Sequence, residues 1–472
     1  MKIFHPILFA LLKLTITAGW SLGQDDRPNI LLVMADDQGY GDAGFTGHPF
    51  VKTPHMDAMA KAGVVFNRFY AGAPVCSPTR ASVMTGRTPM RTNVPNHGHY
   101  MRPDEVTIAE VLRDAEYVTG HFGKWHIGSV QKESPTSPGG AGFDEWFSGL
   151  NFFDRDPYLS RNGVYENPKG QGSIISMDAT IEFLKKHKDG DKPMFTVTWF
   201  PSPHDPHEET PVDFPGGQDL YKGEENRGYF LEITLLDQQL GRLRQSLREM
   251  GIADNTLVWY CSDNGGLVVE SSGGREKKGS IYEGGLRVPS IIEWPAKLAP
   301  DTVDTPAATF DIYPTVLSIA KGKVKHQPRL DGLDLKKIIA GRQAQRPAMG
   351  FWHLHSNGQS TWNDRIIKSL MEAQQQGLPN PHPERLLKNV EEFPEFERGD
   401  YPGHAAWNDW PWKIHRIQKT DQLTIELYHL VDDPMEANDL AKKEPGRVKR
   451  MLKELQQWQA SVYDSWEGKD YR

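Results

Sequence analysis

Short apolar runs alternate with amphipathic stretches through the first two thirds of the chain. Three runs typical of buried strands occupy residues 29–34 (NILLVM), 193–200 (PMFTVTWF) and 256–261 (TLVWYC). Helical periodicity is found at residues 54–62, 107–117, 229–250 and 310–320. This alternation predicts an α/β domain whose mostly parallel central sheet is flanked by helices on both faces.

The pattern changes after about residue 347. Strand-like runs at 348–355, 412–418 and 423–431 follow one another without long helices, and an amphipathic helix at 444–463 closes the chain. The polar, proline-rich and aromatic stretch at 356–411 is interpreted as a long loop. We therefore predict a large domain over residues 24–346 and a smaller C-terminal α+β subdomain with an antiparallel sheet over 347–472.

The N-terminus has the features of an export signal. A positive start at Met1 and Lys2 precedes a mostly apolar run, and small residues up to Gly23 offer a cleavage site. Because Lys13 interrupts the run, an uncleaved anchor stays open as an alternative. We predict a signal peptide at 1–23, a secreted or periplasmic protein and, since no other run reaches about 18 apolar residues, no stable membrane span.

Composition narrows the range of partners. The 472 residues are 38% hydrophobic and 25% charged, as in ordinary soluble proteins, and the formal net charge is −8. No long basic run is present, which argues against nucleic acid as a partner. A local basic pocket could still hold an anionic substrate, because electrostatic fields act over short range.

Polar side chains follow the predicted strands at the points where they end. Asp36 and Asp37 follow the first strand, and Asp263 and Asn264 follow the strand at 256–261. Ligands of open α/β sheets bind beyond the carboxyl ends of the strands. These four side chains offer hard oxygen ligands that suit Ca²⁺ or Mg²⁺, although both pairs could also be simple turns.

The segment from Cys76 to Arg80 (CSPTR) is the most specific feature of the sequence. Pro78 favours the start of a helix, which would place Cys76 at a helix N-terminus that attracts anions. Arg80, about one turn along, could donate two hydrogen bonds to an oxyanion, and a thiolate at this position would be reactive. The alternatives are a buried structural cysteine or one disulfide with Cys261, the only other cysteine.

Cys-x-Pro-x-Arg followed by ASVMTG resembles the signature of the type I, formylglycine-dependent sulfatases, the family of arylsulfatases and N-acetylgalactosamine-6-sulfatase. Further motifs of that family appear in order along the chain. They are Asp36-Asp37 followed by GYG, GKWH at 123–126, PSPHDP with His204, SDNG at 262–265, and KGSIYEGGLRVP beginning at Lys278. The resemblance spans about residues 28–439 and implies an alkaline-phosphatase-like fold, a catalytic domain over 24–346 and sulfuric ester hydrolase activity.

The resemblance also implies two cofactors. A maturation enzyme that generates formylglycine would convert Cys76 to 3-oxoalanine, and Ca²⁺ would be held by modified Cys76 with Asp36, Asp37, Asp263 and Asn264. The hydrated aldehyde is a gem-diol whose hydroxyl attacks sulfur, and collapse of the resulting sulfate ester releases inorganic sulfate.

Catalytic roles follow from the same resemblance. Arg80 would fix the formylglycine hydroxyl, while Lys124 and Lys278 would bind the sulfate oxygens and neutralise their charge. His126 would be the base that collapses the diol. His204 would bind substrate and protonate the leaving oxygen.

Recognition of the alcohol must come from other residues. His207, and His404 within the segment at 401–412, are candidates for contacting a sulfated carbohydrate, although the tryptophans of that segment could simply pack the two domains together. The alternative functions are a phosphonate or phosphodiester hydrolase of the same superfamily, an inactive carbohydrate-binding protein and a metal-bound structural protein. The complete set of charged motif residues argues against the last two.

Overall fold

The computed structural model describes residues 27–207, 217–354, 358–389, 393–419 and 422–471, so the predicted signal peptide lies outside the described residues. The strands are β1 (Asn29–Ala35), β2 (Val64–Phe66), β3 (Phe69–Tyr70), β4 (Val118–Lys124), β5 (Glu145–Gly149), β6 (Leu159–Arg161), β7 (Val164–Glu166), β8 (Met194–Trp199), β9 (Thr256–Ser262), β10 (Arg287–Val288), β11 (Ser290–Glu293), β12 (Asp301–Val303), β13 (Ala307–Ala308), β14 (Met349–His353), β15 (Gly403–Asp409), β16 (Trp412–Lys419) and β17 (Gln422–His429).

The α-helices are α1 (Pro54–Ala62), α2 (Cys76–Thr85), α3 (Ile108–Asp114), α4 (Gly172–His187), α5 (Arg227–Glu249), α6 (Glu283–Leu286), α7 (Ile312–Ala320), α8 (Lys336–Ile339), α9 (Asn363–Gln376) and α10 (Pro445–Trp466). Short 3-10 helices are found at Gly44–Thr46, Pro89–Thr92, Gly217–Asp219, Ala253–Asn255, Thr309–Asp311, Pro383–Leu386 and Lys469–Tyr471. No helix among the described residues is both long and apolar enough to cross a membrane.

A ten-stranded sheet forms the centre of the molecule, in the order β12-β2-β11-β9-β1-β8-β4-β5-β6-β7. Its middle strands, from β9 to β5, run parallel, which confirms the predicted α/β fold. Met34 on β1 lies in register with Trp199 on β8 and Cys261 on β9. The carboxyl ends of these three strands therefore meet at one edge, where the functional side chains follow.

Helices cover both faces of this sheet, which explains why β1 is apolar at successive positions. Leu32 and Met34 pack on the face covered by α2, α3 and α7, whereas Leu31 and Val33 pack on the face covered by α1, α4 and α5. Successive side chains of a strand point to opposite faces, so burial of both faces requires an unbroken apolar run.

The C-terminal part contains a four-stranded antiparallel sheet in the order β14-β15-β16-β17, with α10 packed against it. This confirms the predicted smaller sheet. The loop predicted for 356–411 is wrong, because the segment contains α9 and β15. Helix α9 buries a narrow stripe that includes Ile366, Ile367 and Leu370, and its other side chains are mostly polar. Because the average composition of the segment is polar, the helix was not recognised from the sequence.

A buried ionic network joins this small sheet to the large domain. Lys413 on β16 donates to Glu283 Oε1 at 2.9 Å and lies 3.1 Å from Glu436 Oε1. The backbone N–H of Glu283 donates to Glu436 Oε2 at 2.6 Å. Burial opposes the charge of Lys413, but the two carboxylates outweigh this and raise its pKa. The network fixes the segment that begins five residues after Lys278.

Lys413→Ala is expected to lower the free energy of unfolding by about 3–5 kcal/mol, because two buried carboxylates lose their counter-charge. Lys419→Ala, at the exposed end of the same strand, is the matched control and should change stability little. Urea denaturation of both variants measures the difference. Equal midpoints for the two would show that the network contributes nothing to stability.

Candidate active site

The candidate site lies at the sheet edge where β1, β8 and β9 end. Asp36 and Asp37 directly follow β1, Cys76 begins α2, and His204 lies in the turn after β8. One potential ligand atom from each of these four side chains lies within 4.8 Å of the others. The strand register therefore brings together residues that are up to 168 positions apart in the sequence, counted from Asp36 to His204.

Asp37 is held in an unusual backbone conformation by its neighbours. Its φ is 77°, in the left-handed region that non-glycine residues seldom adopt. Its N–H donates to Asp263 Oδ1 at 3.1 Å, and its Oδ1 accepts from Asn264 Nδ2 at 2.8 Å. Tyr229 donates its hydroxyl to the Asp37 carbonyl at 2.8 Å. Strain of this kind persists only where surrounding contacts impose it, as at functional sites.

Three cations neutralise the three carboxylates of the site. The pairs are Lys124 Nζ with Asp36 Oδ2 (2.6 Å), Lys278 Nζ with Asp37 Oδ2 (2.5 Å) and Arg80 Nη2 with Asp263 Oδ2 (2.7 Å). A divalent cation among the carboxylates and an oxyanion among the cations would also keep every charge compensated. The arrangement is therefore suited to binding a metal ion together with an anionic substrate.

Electrostatics distinguish the carboxylates from one another. Burial would raise the pKa of Asp36, but Lys124 and Arg80 outweigh burial and hold that pKa well below its usual range. Burial and the nearby charge of Asp36 raise the pKa of Asp263 to about 7 despite Arg80. A bound cation would favour the ionised form of both groups.

The oxygen atoms of the site fit a hard divalent cation. Asp36 Oδ1 and Asn264 Oδ1 are buried and accept no hydrogen bond from the described residues, although Arg80 Nη2 lies 3.4 Å from the former. Buried oxygens of this kind are costly unless they are bonded. Coordination to Ca²⁺ or Mg²⁺ would satisfy both, since each prefers oxygen ligands.

Position 76 lies beside the oxygen atoms of the proposed metal site. Cys76 Sγ is 4.0 Å from Asp37 Oδ1 at the buried start of α2. Burial raises the pKa of the thiol despite Lys124 and Lys278. The reactive thiolate expected at this helix start is therefore not favoured in unmodified protein. Cys261 is also free and buried, so the alternative of a disulfide between the two cysteines is wrong.

Two of the predicted histidines lie at this site. His126 is buried, and neither of its ring nitrogens has a hydrogen-bond partner among the described residues. Burial, with Lys124 and Arg80 adding to it, holds its pKa well below the usual range, so the ring is neutral. His204 Nε2 is 3.7 Å from Asp37 Oδ2, and its ring stacks on Phe152 at 4.8 Å.

The other two predicted histidines lie further out. His207 Nε2 is 2.8 Å from the Pro203 carbonyl, and its ring contacts the Tyr229 ring. Tyr229 in turn donates a hydrogen bond to Asp37, so one side chain separates His207 from the acidic cluster of Asp36, Asp37 and Asp263. His404 is buried on β15, with Nε2 2.8 Å from His415 Nδ1. It is therefore part of the junction between the small sheet and the large domain.

His97 belongs to the site but was missed by sequence reasoning. It is half-buried, and burial lowers its pKa together with the charges of Lys278 and Lys124, which places the ring near the predicted sulfate-binding lysines. The segment at 358–359 packs over it, since Gln359 N–H donates to the His97 carbonyl at 3.0 Å. The His-Gly-His run at 97–99, which follows α2 in the sequence, is the feature that could have drawn attention to His97.

Comparisons with known proteins show which family and which solved structures this chain resembles. The Sulfatase family model matches residues 28–323. N-acetylgalactosamine-6-sulfatase of Sus scrofa is 31% identical over 369 residues, covering 69% of this chain and 68% of that protein. Arylsulfatase A of Homo sapiens is 30% identical over 370 residues, covering 70% and 71%. The solved structure of Ps i-CgsB in complex with k-i-k-neocarrahexaose has a TM-score of 0.74, with 24% identity and 94% of each chain covered, which shows the shared fold.

Proposed function

The chain belongs to the sulfatase family and is a sulfuric ester hydrolase, and on that premise we propose that it removes sulfate from a sulfated carbohydrate with Ca²⁺ and a formylglycine made from Cys76. The observation that carries the proposal is the convergence of Asp36, Asp37, Cys76 and His204 within 4.8 Å. A sulfated sugar as substrate is supported by the names of relatives such as N-acetylgalactosamine-6-sulfatase.

The proposed Ca²⁺ ligands and position 76 already lie close to one another. Asp36, Asp37, Asp263 and Asn264 would hold Ca²⁺ together with position 76. Bound there, the cation would polarise the S–O bonds of the substrate, and hydrated formylglycine would supply the attacking hydroxyl. Arg80, whose guanidinium is fixed by Asp263, would orient that side chain.

Lys124 and Lys278 would hold the sulfate group. The ammonium group of Lys124 donates to Asp36, and that of Lys278 donates to Asp37, so both cations lie beside the proposed metal ligands. Lys124 is fully buried and Lys278 is largely so, where charge–charge interactions are stronger than in water. Their charges would stabilise the transferring sulfuryl group.

Two histidines would move the protons. His126 is neutral and free of hydrogen bonds to the described residues, so it can accept a proton when the nucleophile is regenerated. Burial lowers the pKa of His204, whereas Asp37 and Asp36 oppose that effect. The negative charge of a bound sulfate ester would oppose burial as well and favour the protonated ring, which could donate to the leaving oxygen.

Export and maturation complete the proposal. We propose a signal peptide at 1–23, secretion to the periplasm or the exterior, and a maturation enzyme that oxidises Cys76. The catalytic domain would span 24–346 and the C-terminal subdomain 347–472. His207 stays a candidate for contacting the sugar. His404 was predicted for the same role, but it is buried against His415 on β15, so it would support the junction with the small sheet and would not contact the sugar directly.

His204→Ala is expected to affect sugar sulfates far more than aryl sulfates. A sugar alkoxide is a poor leaving group and needs a proton, whereas nitrophenolate leaves without help. The loss in kcat/KM should be about 10²–10⁴-fold larger for the sugar substrate, the usual range for general acid catalysis. Steady-state assays of both substrates, with formylglycine content measured in each preparation, give the comparison.

Lys278→Ala provides the contrast, because loss of a sulfate-binding charge should lower kcat/KM for both substrates alike. Lys277→Ala, its exposed neighbour, is the matched control and should be close to wild type. Equal losses on both substrates for His204→Ala would show that His204 binds sulfate and does not act as the acid.

The alternative of a phosphonate or phosphodiester hydrolase is not favoured, because relatives matched at 30–31% identity, such as N-acetylgalactosamine-6-sulfatase of Sus scrofa and arylsulfatase A of Homo sapiens, are sulfatases. The ratio of kcat/KM for nitrophenyl sulfate to that for a nitrophenyl phosphodiester tests it. The proposal expects the sulfate to be the better substrate by a wide margin, and the reverse order would favour the alternative.

A further inference from the structure

A cavity of about 440 Å³ opens beside His204, outside the acidic cluster. Its lining includes Phe152, which stacks on His204, and the segment from Ser360 to Arg365 at the start of α9. Because His204 contributes both to the cluster and to this cavity, the cavity lies where the alcohol part of a substrate would leave the sulfate-binding groups. Its size is within the range of ligand-binding pockets.

Trp362 is presented at the rim of this cavity. Its side chain is 65% exposed, whereas its neighbours Thr361 and Asn363 are buried. Asn363 Oδ1 accepts from the Leu150 N–H at 2.7 Å, and Asn151 Nδ2 donates to the Thr361 carbonyl at 3.0 Å. The backbone on both sides of the indole is therefore fixed, and the ring is held out toward solvent.

The position of Trp362 is unusual for a purely structural residue. It occupies the N-cap of α9, where side chains that accept a hydrogen bond from the helix are preferred, and it makes no such bond. A large exposed indole also leaves apolar surface in water. The indole therefore adds no capping bond to the helix, and it lines two adjoining cavities, where it is available to a ligand.

A second cavity of about 330 Å³ lies next to Trp362 and shares Arg365 with the first. Its lining includes His382 and Arg385. Arg365 is exposed, and its guanidinium makes no hydrogen bond or ion pair with any residue in the described part of the chain. The two cavities therefore adjoin at Trp362 and Arg365, and together they define a groove that extends from His204 to His382.

We propose that this groove, defined by His204, Phe152, Trp362, Arg365 and His382, binds the sugar residues of an anionic oligosaccharide beyond the one that carries the scissile sulfate. The inference rests on the proposed function and deepens it. A sugar ring would pack its C–H groups on the electron-rich face of Trp362. Arg365 would hold a sulfate or carboxylate of an adjoining residue.

A carbohydrate explains the groove better than a protein partner does. The aromatic surface consists of the exposed Trp362 indole and the half-buried Phe152 ring, flanked by polar and charged side chains that include Asp154, Arg155 and Asp205, and it is not a broad apolar patch. Because His204 also lines this cavity, a substrate held at His204 would extend into it. The enzyme would therefore act on a chain several sugars long.

The test uses full-length enzyme with measured formylglycine content. Substrates are nitrophenyl sulfate and oligosaccharides of two, four and six residues prepared from chondroitin sulfate, heparin, carrageenan and ulvan. For the best series, kcat/KM of the wild type should rise with length. Trp362→Ala should remove at least about tenfold of kcat/KM on the longer chains, mainly through KM, and leave nitrophenyl sulfate unchanged. Trp362→Phe should restore part of the loss, since the ring persists.

Matched controls lie on and just after the same helix. Leu378→Ala removes an exposed apolar side chain and Lys368→Ala an exposed cation, and neither residue lines a cavity of the groove. Both should match the wild type, whereas Arg365→Ala should weaken binding of the longer chains in low salt.

The outcomes separate the two proposals. Two results would overturn the groove and leave the sulfatase function intact, provided that the enzyme turns over nitrophenyl sulfate. In the first, kcat/KM does not depend on chain length in any series. In the second, none of the oligosaccharides is processed. The proposed role of the groove would also be refuted if Trp362→Ala processes long chains as the wild type does. In that case the indole would bind another partner, such as a protein. Absence of nitrophenyl sulfate turnover in fully modified wild-type protein would refute the proposed function itself.

Discussion

Replacing Cys76 with serine is expected to lower kcat for nitrophenyl sulfate by at least about 10³-fold. The serine hydroxyl would occupy the place of Cys76 Sγ, close to Asp37 at the start of α2, and could accept the sulfuryl group. It would lack the second hydroxyl of a hydrated aldehyde, so the sulfate could not be expelled by re-forming a carbonyl. One turnover at most is expected, followed by arrest.

The arrested protein can be recognised by its mass, because bound sulfate adds a fixed increment to the peptide that contains position 76. Cys261→Ser is the matched control, since Cys261 is also free and buried but points into the core beneath the sheet. That variant should keep its activity if it folds. Full multiple-turnover activity in Cys76→Ser would refute the mechanism.

Removing divalent cations is expected to lower kcat by at least about 10²-fold, the usual cost of losing one preorganised electrostatic contact in an active site. Two buried oxygens, Asp36 Oδ1 and Asn264 Oδ1, have no hydrogen-bond donor among the described residues. Every proposed protein ligand oxygen is hard, so Ca²⁺ should restore activity better than Zn²⁺.

A second readout does not depend on catalysis. A cation that binds the folded state but not the unfolded state raises Tm. When the free cation concentration exceeds Kd, the rise follows the logarithm of that concentration. Ca²⁺ should therefore raise the Tm of the wild type, and Asn264→Ala should need more Ca²⁺ for the same shift. Activity that survives exhaustive chelation, with no metal detected by elemental analysis, would rule out the metal site.

The residues at the centre of the site could be predicted because they follow parallel strands, whose carboxyl ends lie at the same edge of the sheet. Parallel pairing of β1 with β9 sets Ala35 opposite Ser262, which brings Asp36 and Asp263 to the same edge. No tertiary detail beyond strand adjacency is needed for that step. The Cys76 helix was predictable for a similar reason, since Pro78 and the terminal Gly86 mark its extent.

Other features depend on contacts between segments far apart in the sequence, and patterns do not show these. Asn389 donates to the Gly98 carbonyl and to Thr361 Oγ1, both at 3.0 Å, and so ties the His97 loop to the start of α9. The His-Gly-His run draws attention to His97 but does not reveal this packing, and Trp362 carries no local signal of it. Helix α9 was missed because its buried stripe is narrow in a polar segment.

The state of position 76 in active protein is the most direct test of the central claim. The measurement is the mass of the peptide that contains residue 76, taken from a preparation that hydrolyses nitrophenyl sulfate. Conversion of the cysteine to formylglycine lowers that mass by about 18 Da, and activity should scale with the converted fraction. A fully active preparation in which this peptide has the mass of unmodified cysteine would contradict the account.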